Sequence, residues 1–144
     1  MTVTRWLRIS SVLALLFAVG HTLGGRKSWS PMGENQVLQA MRTVQFALGG
    51  TSRSYLDFYR GFGYSISIFQ VMLAVLLWQL ATLAATNVGA TRPMIAIITV
   101  AAGSCGIIAY VYLLPLPALF SAVLFGSLVA AYVLAGRPNR NSNP

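Results

Sequence analysis

Apolar residues occur along this chain in long stretches separated by short polar segments. Four stretches have the length of a membrane-spanning helix, which needs roughly 20 residues. They cover residues 6–25, 61–85, 93–114 and 117–135. No charged residue occurs from Pro93 to Gly136, so the third and fourth stretches, joined by Leu114-Pro115-Leu116-Pro117, predict a tight membrane hairpin. The pattern predicts an all-α fold, a four-helix transmembrane bundle formed by one domain over residues 1–136.

The polar segment between the first and second spans carries a different pattern. Within it, apolar residues recur at helical spacing from Val37 to Leu48, with mostly polar residues between them. This spacing predicts an amphipathic helix over about residues 34–48, which Gly49-Gly50 would end. Beside a membrane such a helix is expected to lie on the surface, with its apolar side towards the lipid. It would serve either as a lid over one end of the bundle or as a substrate gate.

Composition supports a membrane protein. The 144 residues are 56% hydrophobic and 8% charged, whereas a soluble domain carries about 25% charged residues. The net charge of +8 comes from basic residues at the ends of the spans. Basic residues in those positions are typical of topology signals and of contacts with anionic lipid headgroups, not of nucleic-acid binding.

The basic residues also predict an orientation. Arg92 follows the second span, Arg137 and Arg140 follow the fourth, and the loop between the third and fourth spans is uncharged. By the positive-inside rule, both termini and the Arg92 loop lie in the cytoplasm. The long first loop also holds basic residues, but long loops carry less topological weight. Residues 137–144 are polar and predict a disordered tail.

The first span has a second interpretation. Arg5 and Arg8, the apolar run that follows and the small residues Ala18-Val19-Gly20 are similar to a secretory signal with its cleavage site. The apolar run continues past His21 to Gly25, which favours a retained membrane helix.

Several chemistry-bearing side chains are expected at the same end of the bundle. His21 lies about fifteen residues into the first span, roughly 23 Å along the helix, and the second span starts at that end. At the start of the second span, one helix face carries Asp57, Arg60, Gly61 and Tyr64 at i, i+3, i+4 and i+7. Tyr110 lies near the end of the third span. We therefore expect a ligand-binding pocket at the outer-leaflet boundary. The predicted site consists of His21, Asp57, Arg60, Tyr64 and Tyr110.

A purely structural role for these residues stays open. Ser54 and Asp57 have the spacing of a capping box, in which both side chains satisfy backbone N–H groups at a helix start. Arg60 could pair with Asp57 or hold a lipid phosphate, and His21 could bond to a backbone carbonyl. The aromatic residues between positions 55 and 64 suit an interfacial belt.

Two classes of function follow. The pocket would bind a hydrophobic small molecule, a lipid or a quinone-like ligand, with His21 as the proton carrier if chemistry occurs. Alternatively, the protein is an accessory subunit of a larger membrane complex. Cys105 is the single cysteine, and with one His and two acids the chain has too few ligands for a zinc site. No phosphate-binding, dinucleotide-binding or metalloprotease motif occurs, so neither a reaction nor a cofactor is indicated.

Two short motifs resemble an uncharacterised family of small bacterial four-helix integral membrane proteins. The motifs are GHTLGG around His21 and SYLDFYRGFGYSISIF from Ser54, and the resemblance covers most of the chain. Its motif residues are His21, Thr22, Gly24, Asp57, Tyr59, Gly61 and Gly63. The resemblance implies a location in the bacterial inner membrane and a shared site for His21 and Asp57, and it implies no reaction, substrate or partner.

Overall fold

The fold is almost entirely helical. The computed structural model describes residues 2–28 and 30–137, so the predicted tail lies outside the described residues from position 138 onwards. The elements are α1 (Val3–Gly25), α2 (Gln36–Thr43), β1 (Gln45–Leu48), β2 (Thr51–Ser54), α3 (Tyr55–Thr86), α4 (Val88–Tyr112) and α5 (Pro115–Ala135). Helices α1, α3, α4 and α5 are each long and apolar enough to cross a membrane. The predicted all-α class with four membrane-type helices is confirmed.

Two of the long helices begin earlier than the apolar pattern predicted. Helix α3 begins at Tyr55 rather than at residue 61, because polar side chains at its start satisfy the first backbone N–H groups. Helix α4 begins at Val88, where the side chain of Asn87 accepts a hydrogen bond from the backbone of Ala90 at 3.1 Å. Pro93 therefore lies inside α4, where it lacks the N–H that would bond to the preceding turn.

The first loop differs from the prediction of one helix over residues 34–48. Helix α2 ends at Thr43, and the four residues after Val44 form β1, which pairs antiparallel with β2 from Gln45↔Ser54 to Leu48↔Thr51. Gly49 and Gly50 have φ of 57° and 78°. Positive φ at both central residues is what a two-residue hairpin turn of type I′ requires. The glycines therefore turn the chain between two strands instead of ending a helix.

The chain divides into two compact units, which we describe separately. The bundle unit comprises Met1–Leu15 and Leu73–Pro144, and the hairpin unit comprises Leu16–Met72. In the bundle unit, segments of all four long helices contribute to one apolar core. Its fully buried large side chains include Leu7, Leu77, Ile95 and Leu128.

Two buried hydrogen bonds between helices lie inside the bundle unit. The hydroxyls of Ser10 and Ser127 are 2.8 Å apart, and the hydroxyl of Ser11 donates to the carbonyl of Ala74 at 2.6 Å. Each bond of this kind contributes about 0.6 kcal/mol in a membrane protein. They therefore fix the register of α1 against α3 and α5 more than they add stability.

Small residues allow α4 and α5 to approach closely. A Cβ atom added at Gly103 would lie 3.0 Å from Cε2 of Phe125, and one added at Gly106 would lie 3.4 Å from Cβ of Ser121. By contrast, a Cβ atom added at Gly126 would have no non-local heavy atom within 4 Å. The close approach therefore depends on Gly103 far more than on Gly126.

We expect Gly103→Ala to lower stability by about 1–3 kcal/mol relative to Gly126→Ala, because the new methyl group overpacks against the ring of Phe125. Both substitutions gain the same helix propensity, so the difference reports the packing term alone. Thermal unfolding of both variants in one detergent measures it. Equal stabilities would contradict the close packing of Gly103 on Phe125.

Candidate functional site

Within the hairpin unit, α3 has two different faces that carry polar residues. Residues on one face are buried or half-buried and recur every three or four positions, which is the spacing of a helix packed along a seam. Residues on the other face are exposed. The buried face carries Leu56, Arg60, Gly63, Ser67 and Gln70, and the exposed face carries Asp57, Phe58, Gly61, Phe62 and Ser65.

Two side-chain contacts join the buried face of α3 to α1 and to the turn that follows α1. His21 Nδ1 and Ser67 Oγ are hydrogen-bonded at 3.1 Å. Arg60 donates from Nε and Nη2 to Ser28 Oγ at 3.2 and 2.8 Å. From the first contact to the second, the residue number rises from His21 to Ser28 on one side and falls from Ser67 to Arg60 on the other. This part of α1 therefore runs antiparallel to α3. The two contacts lie seven residues, about 10 Å, apart along α3.

Ser28 has an unusual backbone conformation for a residue with a side chain. Its φ is 52°, in the left-handed region, and its side chain is buried. Its N–H bonds to the carbonyl of Gly25 at 3.0 Å and so helps to close the C-terminal end of α1. Glycine would adopt this φ without strain, but glycine could not bind Arg60. The serine hydroxyl therefore couples the end of α1 to α3.

Gln70 lies one turn deeper than Ser67 on the same buried face. Its Oε1 atom is buried and has no hydrogen-bond partner among the described residues. Gln70 is also close to the middle of the 32-residue helix α3. A buried amide oxygen without a partner is costly, and most so where no water is near.

Asp57 forms the predicted capping box at the start of α3. Its Oδ2 accepts hydrogen bonds from the backbone N–H and the hydroxyl of Ser54 at 3.0 and 2.8 Å. In return, Ser54 Oγ accepts from the Asp57 N–H at 3.1 Å. The structural role predicted for these two residues is therefore confirmed. The other carboxylate oxygen, Oδ1, has no hydrogen bond within the part of the chain that the structure describes.

An open cleft of about 320 Å³ lies on the exposed face of α3, beside the hairpin. It is lined by Arg53, Asp57, Phe58, Gly61, Phe62 and Ser65. The rings of Phe58 and Phe62 are 4.8 Å apart at 82°, and Phe46 of β1 contacts Phe58 at 5.8 Å. The edge-to-face contact between Phe46 and Phe58 holds the hairpin against α3. The cleft therefore has an aromatic wall, with a basic and an acidic residue at its edges.

The two charged residues of the cleft are not paired with each other. Arg53 and Asp57 have no N–O contact within 4.0 Å, and the one ion pair among the described side chains joins Arg42 to Glu34 at 3.2 Å. Both residues line the cleft, so the space of the cleft lies beside two opposite charges.

The residues of the predicted site that lie in the hairpin unit are divided between the seam and the exposed face of α3. His21 and Arg60 lie in the buried seam, and Asp57 lies on the exposed face. His21 is level with Ser67, which follows Asp57 by ten residues or about 15 Å of helix. Tyr64 lies in α3 between these levels with 43% of its surface exposed. Tyr110 belongs to the bundle unit, where it is 82% exposed. The single pocket expected for these residues stays a prediction, and a seam and a cleft are the arrangements observed in the hairpin unit.

Five residues that line the cleft were absent from the predicted site: Arg53, Phe58, Gly61, Phe62 and Ser65. The spacing i, i+4 from Asp57 to Gly61 and Ser65 was available as a signal for them. Arg53 lies on β2 of the hairpin, and the hairpin was not predicted because residues 45–48 of its first strand were interpreted as the end of a helix. Among the described residues, no group of three or more His, Cys, Asp or Glu lies together as a metal site would require.

Comparisons with protein-family models, with curated proteins and with solved structures find no significant match for this chain. The resemblance of the His21 and Ser54 motifs to a family of small bacterial membrane proteins therefore stays a prediction.

We expect Ser54→Ala to lower the stability of the protein by about 1 kcal/mol, because the helix N-cap loses its side-chain acceptor. Ser52→Ala is the matched control, since the Ser52 hydroxyl bonds only to an exposed Gln45 side chain. Thermal unfolding in detergent compares them. An equal loss in both variants would mean that the capping box does not stabilise α3.

Gln70→Met should raise stability by about 1–2 kcal/mol, because methionine fills a similar volume without a buried, unpaired amide oxygen. Gln79→Met, on the exposed face of the same helix, is the control and should change stability less. Thermal unfolding of the two variants provides the measurement. A loss of stability at position 70 would show that the Gln70 amide has a partner.

Proposed function

We propose that this protein is a multi-pass membrane protein that binds a membrane lipid and holds its polar headgroup in the cleft beside the hairpin. The observation that carries the proposal is the pair of unpaired opposite charges, Arg53 and Asp57, beside the rings of Phe58 and Phe62. A lipid headgroup is polar and attached to apolar chains. The cleft offers charged groups and an aromatic wall in the same arrangement.

The length of α3 supports a position of the cleft at the level of the headgroups. Helix α3 has 32 residues, whereas roughly 20 cross the hydrocarbon core. Its charged residues, Asp57 and Arg60, lie in its first two turns, and residues 61–86 carry no charge. The uncharged part is long enough to span, so the first turns extend beyond the hydrocarbon.

The hairpin supports the same level. A two-stranded sheet leaves the backbone groups on its two outer edges unpaired, and such groups are not tolerated in contact with hydrocarbon. Because β2 continues directly into α3, the hairpin and the start of α3 must lie together in the headgroup layer or in water.

The exposed face of α3 continues from the cleft as an apolar surface. Ile66 and Phe69 follow Phe62 at helical spacing and are 41% and 61% exposed. An acyl chain attached to a headgroup in the cleft would lie along these side chains. A neutral quinone ring would make no use of Arg53 and Asp57, so the charges favour a lipid over a quinone.

The proposed orientation places both termini in the cytoplasm and the cleft in the outer leaflet. Basic side chains of the bundle unit support it. Arg8 lies over the ring of Trp78 at 5.1 Å, and Arg92 lies over the ring of Tyr132 at 4.9 Å. Stacked Arg and aromatic side chains suit a membrane interface, and the positive-inside rule assigns Arg92 to the cytoplasmic side.

Filling the cleft should remove the lipid. We expect Gly61→Leu to reduce copurifying lipid at least about tenfold, because Gly61 lines the cleft and a Cβ atom added there has no non-local heavy atom within 4 Å, so the leucine side chain would occupy the cleft. Gly126→Leu is the matched control, since the space beside that helical glycine is also open. Native mass spectrometry of the protein in mild detergent measures bound lipid in both variants.

Three other outcomes would contradict the proposal. Equal lipid retention in both variants would exclude the cleft as the binding site. Loss of lipid in His21→Ala but not in Gly61→Leu would move the site to the seam. A larger protein that copurifies in fixed ratio, with no retained lipid, would instead make this chain an accessory subunit of a membrane complex.

A further inference from the structure

The basic edge of the cleft suits an anionic group. Arg53 uses Nη1 to donate to the carbonyl of Ser52 at 2.8 Å. Its other N–H donors have no partner among the described residues, and its side chain is not part of an ion pair there. A planar guanidinium with free donors matches the paired oxygens of a phosphate diester.

The acidic edge suits a cation. Asp57 engages Ser54 through Oδ2 alone, so Oδ1 is open to a hydrogen-bond donor. The neighbouring rings of Phe58 and Phe62, 4.8 Å apart at 82°, add a surface of negative electrostatic potential that attracts cations. The carboxylate and the rings therefore favour the same ligand charge.

Resting on the proposed lipid binding, we infer that the ligand of the cleft is a zwitterionic headgroup that carries a phosphate diester and a primary ammonium group, as in phosphatidylethanolamine. Its phosphate binds Arg53, and its ammonium donates to Asp57 Oδ1 against the two phenyl rings. A purely anionic headgroup would place negative charge near Asp57, and a purely cationic ligand would meet Arg53. A zwitterion satisfies both edges at once.

The kind of cation decides between zwitterionic lipids. A primary ammonium has N–H groups that can donate to Asp57 Oδ1, whereas the quaternary ammonium of phosphatidylcholine has none. Both can rest against Phe58 and Phe62. The order of retention in the cleft should therefore be phosphatidylethanolamine, then phosphatidylcholine, then anionic phosphatidylglycerol.

The test compares these three lipids in nanodiscs of equal protein content. Native mass spectrometry after release into detergent measures how much of each lipid stays bound. Wild type should retain phosphatidylethanolamine at least about fivefold more than phosphatidylglycerol, since a charge-assisted hydrogen bond and an avoided repulsion act together. Asp57→Asn keeps an oxygen for Ser54 and should remove the preference for the primary over the quaternary ammonium.

Arg53→Gln provides the second variant, because Arg53 lies on the hairpin and takes no part in capping α3. It should weaken retention of both zwitterionic lipids to a similar degree. Equal or greater retention of phosphatidylglycerol by wild type would overturn the inference. An unchanged preference for phosphatidylethanolamine in Asp57→Asn would overturn it too.

The failures of the two proposals are distinguishable. If Gly61→Leu removes all three lipids but wild type shows no headgroup preference, the lipid site stands and the zwitterion inference fails. If Gly61→Leu changes nothing, the lipid site itself fails. Glycerophosphoethanolamine has the same headgroup without acyl chains and shows whether the chains are needed for binding. If it displaces the bound lipid, the headgroup alone is the ligand. If it does not, the ligand is the intact membrane lipid.

Discussion

The reciprocal hydrogen bonds between Ser54 and Asp57 determine where the hairpin ends and α3 begins. Ser54 is the last residue of β2 and the N-cap of α3, so the capping box joins a strand to a helix with no loop between them. Because of this junction, Arg53 lies beside the first turns of α3, and the cleft is formed from both elements. A helix that began at residue 61, as its apolar run suggests, would have no such cleft.

The carboxylate of Asp57 serves the fold through one oxygen and leaves the other open. This division shows why a structural and a functional interpretation of the same residue do not exclude each other. The seam behaves differently, because Arg60 and His21 have protein partners in Ser28 and Ser67. Side chains that already have partners organise α1 and α3, whereas the unsatisfied groups of the exposed face are available to a ligand.

The four membrane-type helices could be predicted because an apolar run of about 20 residues has the length of a bilayer-spanning helix. Few helices or strands of soluble proteins contain an apolar run of that length. The hairpin was missed because Val37, Met41, Val44 and Leu48 fit a helical period, and that period hid the strand that begins at Gln45. Gly49-Gly50 signals a two-residue turn as well as a helix end, and the structure selects the turn. Of the predicted site residues, Asp57 lines the cleft, but spacing alone could not show that Arg60 turns into the seam. Nor could spacing show that the amide of Gln70 has no partner, since that depends on the packing around it.

The direct passage from β2 into α3 has a mechanical consequence. A loop would absorb rotation of the helix about its own axis, but here the hairpin is a rigid arm on the end of α3, held by Phe46 against Phe58. A rotation of the first turn of α3 would therefore carry the hairpin with it. Because Arg53 and Asp57 line one cleft across this junction, their spacing would be kept when the helix turns.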